Sequence, residues 1–143
     1  DARSVDADNV AAARWMATGI PADSVVYGDR TSGGLAAELG GQFTILHVSS
    51  NIDASRLLLD PAYTVKDVAL IKRAKIDYLI VDTRLSTGFP HQQFYIESGE
   101  FGGNDRTAPV PAAALAKFAS VPGVQRVYDN GSLMIYDVRG LRG

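Results

Sequence analysis

The sequence predicts a single α/β domain of three layers, with a mainly parallel, Rossmann-like sheet that closes on a C-terminal antiparallel hairpin. Three observations lead there. Short apolar runs of strand length alternate with helix-patterned segments, which is how an open parallel sheet covered on both faces is written. The run "DYLIVD" is apolar without alternation, as a strand buried on both faces must be. Near the C-terminus, "VQRVY" and "SLMIYDV" flank Asn130-Gly131, the strongest short hairpin signal. The 143 residues, 46% of them apolar, suit one domain over 1–143 that can bury a core without disulfides or metals.

The elements follow in order. Asp6 to Thr18 reads as a helix, with Asp6 and Asp8 favoured at its start by capping and by the helix dipole. Val10, Ala13 and Ala17 form its inward stripe, widened by Ala12, Trp15 and Met16. Gly19 and Pro21 end it. "SVVYGD" predicts a strand near 25–29, "SGGLAAELGG" a short helix stopped by Gly40-Gly41, and "FTILHV" a strand near 43–48. From Ser49 to Tyr63 only "ASRLLL" reads as a helical turn. Thr64 to Asp67 has the spacing of a capping box, with Asp where Glu is usual. The helix that follows runs to about Lys75, with Val65, Val68 and Ala69 as its inward positions. "DYLIVD" predicts a strand at 78–82. Residues 83–111 are rich in Gly, Pro and polar groups and read as a long loop, a feature that compact domains keep mostly for function. Pro111 suits the first turn of a helix over "PAAALAKFAS", which Pro122-Gly123 breaks. The terminal hairpin covers 124–138, and Asn130 with Gly131 supplies the two positive φ values of a type I′ turn.

Composition narrows the function. A net charge of −2 leaves no basic footprint for nucleic acid. Without cysteine there is no disulfide and no thiolate chemistry. The longest apolar runs fall far short of the ~20 residues that span a bilayer. The chain opens at Asp1 rather than Met and is expected to be a piece of a longer or processed protein.

Two strands finish alike, in "VVYGDR" and "LIVDTR". In a parallel sheet Asp29 and Asp82 stand at carboxyl ends, where open α/β sheets bind ligands, with Arg30 and Arg84 beside them. The loop that follows Asp82 carries His91, Tyr95, Glu97 and Glu100. Together these eight residues form a candidate crevice for a small polar or sugar-like ligand, with Phe94 or Tyr95 packed on a sugar face. The competing expectation is that Asp and Arg pair with each other where strands meet solvent. "GDRTSGGL" lacks the Lys of a phosphate loop, and G-x-G-x-x-G is absent, so no nucleotide or other cofactor is assigned. His91, Glu97 and Glu100 do not have the spacing of a known metal site, and no serine stands in a nucleophile elbow. No catalytic residue and no metal ligand is assigned.

Three stretches taken together, "AAARWMATGIPADSVVYGDR", "DYLIVDTRLSTGFPHQQFYIESGE" and "AALAKFASVPGVQRVYDNGSLMIYDVRG", resemble the C-terminal extracytoplasmic regions of polytopic bacterial membrane proteins. These are glycosyltransferases of the GT-C type, which use lipid-phosphate-linked sugars, and proteins related to them. In such transferases the catalytic acids lie in loops of the transmembrane part, so no position here inherits that role. The resemblance implies a non-catalytic accessory domain on the outer face of a bacterial membrane. Upstream spans would tether it, and it would meet the membrane-embedded part of the same protein and a glycan or cell-wall polymer. The alternative is a free-standing Rossmann-like small-ligand domain or enzyme with its site at Asp29 and Asp82.

Overall fold

The computed structural model describes residues 7–28, 56–86 and 110–142, residue 54, and the backbone of 44–45. Its elements are α1 (Ala7–Gly19), β1 (Val25–Tyr27), β2 (Thr44–Ile45), α2 (Arg56–Leu59), α3 (Val65–Ala74), β3 (Tyr78–Asp82), a 3-10 turn (Thr83–Ser86), α4 (Ala112–Ala116), β4 (Gln125–Asp129), β5 (Leu133–Asp137) and a second 3-10 turn (Arg139–Arg142). The strands lie side by side in the order β2-β1-β3-β5-β4. β1 runs parallel to β2 and to β3, whereas β5 runs antiparallel to β3 and to β4.

The sheet is therefore mixed, which corrects the expectation of a mainly parallel one. The hairpin is not an appendix to a parallel sheet but supplies two of the five strands. β5 pairs with β3 along its whole length, from Tyr78↔Asp137 to Asp82↔Leu133. The physical reason is the division of polarity within the hairpin. β5 has Leu133, Ile135 and Tyr136 buried and takes the inside place. β4 exposes Gln125, Arg126 and Asp129, and its register shifts between Arg126 and Tyr128; charge and irregularity both blunt an edge strand.

Alternation along the strands builds two cores, one on each face. Val26, Tyr78, Ile80, Leu133 and Ile135 pack against Ala12, Ala13, Met16 and Ile20 of α1 and its C-terminal end. Tyr27, Leu79, Val81 and Tyr136 pack on the other face against Leu57, Leu58, Ile71, Leu115 and Phe118 from α2, α3 and the α4 region. All five residues of β3 are buried, as the unbroken apolar run requires.

Two helices turn differently from expectation. In α1 the inward residues are Asn9, Ala12, Ala13 and Met16, and Ala17 is exposed. Asn9 joins the stripe because its Oδ1 accepts from Arg84 Nη2 at 2.8 Å. The capping box at Thr64 is present, with Lys66 N–H donating to Thr64 Oγ1 and Thr64 N–H donating to Asp67 Oδ2. The face of α3, however, is Asp67, Ile71 and Ala74, and Val65 stands 82% exposed. Asp67 faces inward because it meets the Lys117 ammonium there. The helix predicted over 111–120 covers only Ala112–Ala116, with Pro111 as its N-cap rather than in its first turn.

The hairpin turn is also shifted by one residue. Asn130 N–H donates to Leu133 O, so the two central residues are Gly131 and Ser132. Gly131 has φ +93 and Asn130 does not have positive φ, which is the sign pattern of a turn with glycine at its first central position rather than of type I′. Asn130 Oδ1 instead accepts from the N–H groups of Ser132 and Leu133, and its Nδ2 donates to Asp8 O. Gly131→Val is expected to cost about 1–3 kcal/mol. A side chain at Gly131 would find open space, so the cost is backbone strain alone. Urea unfolding checks it, and an unchanged midpoint would refute a positive φ there.

Candidate functional site

Parallel pairing of β1 with β3 puts their carboxyl ends at one edge, as the ligand-site reasoning requires. Because β5 pairs antiparallel with β3, the hairpin turn comes to the same edge, and Thr83 N–H and Oγ1–H both donate to Ser132 O. The start of α1 completes the group, since Ser132 Oγ–H donates to Asp8 Oδ2 at 2.7 Å.

Asp82 and Arg84 meet there. Arg84 Nε donates to Asp82 Oδ1 and Nη2 to Oδ2, each at 2.9 Å, and Arg84 N–H also donates to Oδ1. This is a bidentate carboxylate–guanidinium clamp closed over a two-residue turn. The guanidinium reaches on to Asn9, and its Nη1 lies 4.0 Å from Asp8 Oδ2. The pair thus ties the end of β3 to the start of α1. A carboxylate so fully occupied by its own chain is arranged for positioning rather than for proton transfer.

The other residues of the predicted crevice, Asp29, Arg30, His91, Tyr95, Glu97 and Glu100, lie outside the described residues, as do Phe94 and the helix expected over 32–41. The two ends of the predicted loop are fixed, though. Val110 N–H donates to Leu85 O at 3.0 Å and Val110 is buried, so the segment leaves and returns at one place beside β3. Among the described residues no three His, Asp or Glu side chains gather to hold a metal ion, and no helix is long and apolar enough to cross a membrane.

Sequence reasoning missed a second clamp of the same form. Asp137 and Arg139 repeat the D-x-R pattern at the end of β5, with Nε to Oδ1 at 3.0 Å, Nη2 to Oδ2 at 2.8 Å and N–H to Oδ1 at 3.0 Å. The signal was legible as "LIVDTR" beside "MIYDVR". This clamp sits at the opposite edge, where the guanidinium also stacks 5.3 Å from the Tyr78 ring centre. The Arg139 side chain holds the Asp137 carboxyl below its ordinary value, opposed by burial and helped by the Arg139 N–H. A depressed carboxyl adds stability that is complete above its unfolded value of about 3.9 and is lost as pH falls through the folded value. Stability should therefore fall more steeply below about pH 4 in the wild type than in Asp137→Asn. Urea midpoints stepped through acid pH test this, and coincident acid limbs would mean that the clamp contributes nothing.

The concavities lined by described residues include the following two. One, of about 250 Å³, lies under α4 and is lined by Thr83, Leu115, Ala116, Arg126 and Tyr136, among others. The other is an open groove of about 430 Å³ beside Gly123, Asp137 and Arg139. Asp82 and Arg84 line neither.

No protein-family model matches this sequence. No curated protein matches it either. Among solved structures, the chain is similar to the C-terminal globular domain of an oligosaccharyltransferase from Archaeoglobus fulgidus, with a TM-score of 0.63 and 13% sequence identity. The likeness covers 94% of this chain and 98% of that one. At this identity the likeness shows a shared fold. The neighbour is archaeal, so this likeness does not support the bacterial origin that the resemblance implied.

Proposed function

We propose that this chain is a non-catalytic accessory domain of a glycosyltransferase-like membrane protein, standing on the extracytoplasmic side against the membrane-embedded part of the same protein. One observation carries the reading: the fold corresponds almost end to end with a globular domain of an oligosaccharyltransferase. The ordered resemblance of three long stretches to transferase C-terminal regions supports it independently. So does the chemistry of the best candidate site, where Asp82 and Arg84 serve as a tie between β3 and α1. The purified chain is expected to transfer no sugar from lipid-phosphate-linked donors, while removal of the domain from the full-length protein should abolish or misdirect glycosylation. Turnover by the purified chain, lost in Asp82→Asn, would overturn the reading.

A glycan or cell-wall acceptor contact is the finer proposal. It is supported by the shared edge of β1 and β3 and by the segment that leaves and returns beside it. Its residues are Asp29, Arg30, Asp82, Arg84, His91, Tyr95, Glu97 and Glu100. Titration with cell-wall glycans, followed by amide NMR, should perturb residues 82–100. Silence there would leave that edge to protein–protein docking.

A further inference from the structure

The chain has ten arginines and four lysines, and three of those lysines, Lys66, Lys72 and Lys75, lie on α3 or at its C-cap, with Arg73 among them. The fourth, Lys117, is buried against Asp67, the one acid of α3. With Asp67, Ile71 and Ala74 facing inward, a period of 3.6 residues puts Val65, Ala69, Lys72 and Arg73 on the outer face and Lys66 at its flank. All five are exposed, and Val65 is the one large apolar side chain so exposed among the described residues.

None of these four cations forms an ion pair with a described acid, whereas Arg56, Arg126, Arg139 and Arg142 each meet an aspartate. The helix dipole accounts for cations in the last turn, Lys72 and Arg73. It does not account for Lys66, which stands in the first turn where the dipole opposes it, nor for the exposure of Val65. The residue choice is informative as well. The described ion pairs at strand ends use arginine, whose planar fork suits directed bonds, whereas this face is mostly lysine, a mobile point charge suited to a diffuse field.

We infer that the outer face of α3 is a docking surface for an anionic lipid bilayer. The row is convex and about 15 Å long, as ten helical residues must be, so it fits a flat surface rather than a peptide. Val65 and Ala69 lie between the cations, where an interfacial helix dips its apolar side chains into the headgroup layer. The inference rests on the proposed membrane-side location and supplies the orientation that location lacks: α3 toward the lipid, and α1, on the other face of the sheet, away from it.

The test is co-sedimentation of the 143-residue chain with phosphatidylcholine vesicles, with and without phosphatidylglycerol. Binding should require phosphatidylglycerol and vanish in ~0.5 M salt. Each cation removed should weaken it about fivefold, so that Lys66→Gln/Lys72→Gln/Arg73→Gln weakens it about a hundredfold, while Arg14→Gln on α1 changes nothing. Because the chain has no cysteine, Val65→Cys and Ala11→Cys can each carry one polarity-sensitive dye. Only the dye at position 65 should shift to an apolar signal on anionic vesicles. Full binding by the triple variant, or a shift at position 11 instead, overturns the inference. Equal binding to polyglutamate with no shift at position 65 also overturns it and assigns the face to an acidic protein. If anionic vesicles are ignored while glycosylation still needs the domain, this inference falls and the accessory-domain reading stands.

Discussion

Exchanging Lys117 for methionine should cost about 3–5 kcal/mol, the usual loss when one partner of a buried ion pair is removed. The Lys117 and Asp67 side chains are 3% and 0% exposed. The ammonium donates to Asp67 Oδ1 at 2.9 Å, to Arg56 O at 3.0 Å and to Asp60 O at 2.8 Å, so its three donors meet three acceptors. Burial pulls the ammonium below the ordinary lysine value, and the Asp67 hydrogen bond and charge oppose that pull. Methionine fills much of the same volume but leaves the Asp67 carboxylate buried without a counter-charge and takes the ammonium away from two carbonyls at α2, Asp60 O and Arg56 O, the second of which keeps the Asp60 N–H. Lys117→Met/Asp67→Asn should therefore be more stable than Lys117→Met alone, although its α3 cap and its α2 carbonyls stay weakened. Lys117→Arg should not rescue, because a planar fork cannot reach three converging acceptors. Urea unfolding of the four proteins decides it. A single variant within about 1 kcal/mol of wild type would mean that the ammonium contributes little.

Gly140→Val should cost about 3 kcal/mol or more, at or beyond the top of the usual range for overpacking. A Cβ on Gly140 would run into the carbonyl oxygen of Gly123, where the turn ahead of β4 crosses the 3-10 turn after β5. Both partners are backbone, so no rotamer change relieves the contact. Gly123 itself has φ +90 but ordinary space around its would-be Cβ, so Gly123→Ala should show the smaller cost of strain alone. Thermal unfolding that ranks Gly123→Ala below Gly140→Val in stability would contradict the crossing.

Both effects involve residues whose importance the sequence does not advertise. Asp67 is legible as a cap because the box needs only a Thr and an acid three residues apart, yet the same carboxylate also pairs with Lys117, fifty residues on. Val65, Val68 and Ala69 look like the inward face of α3 by hydrophobicity, but the ammonium draws Asp67 inside and sets the opposite rotation. Asn130-Gly131 marks a hairpin correctly and misplaces its turn, because the Asn side chain is taken up by Ser132, Leu133 and Asp8. The acid–arginine pair after β3 was legible as a site or as an ion pair. Its geometry as a clamp on Asn9 needed a partner seventy-five residues away.

The sequence by itself determined the element types and most of their places: the strands at Val25–Tyr27 and Tyr78–Asp82, the capped helix at Val65–Ala74 and the terminal hairpin. These rest on local causes, namely periodicity, caps and turn residues within a few positions of one another. Only the tertiary structure decided that β5 would lie against β3 and make the sheet mixed, and which helix faces would turn inward. Strand order depends on which apolar face finds a covering layer on each side, and helix rotation depends on where buried charges find partners. Both are settled by contacts between residues far apart in the chain, and a local pattern carries no record of them.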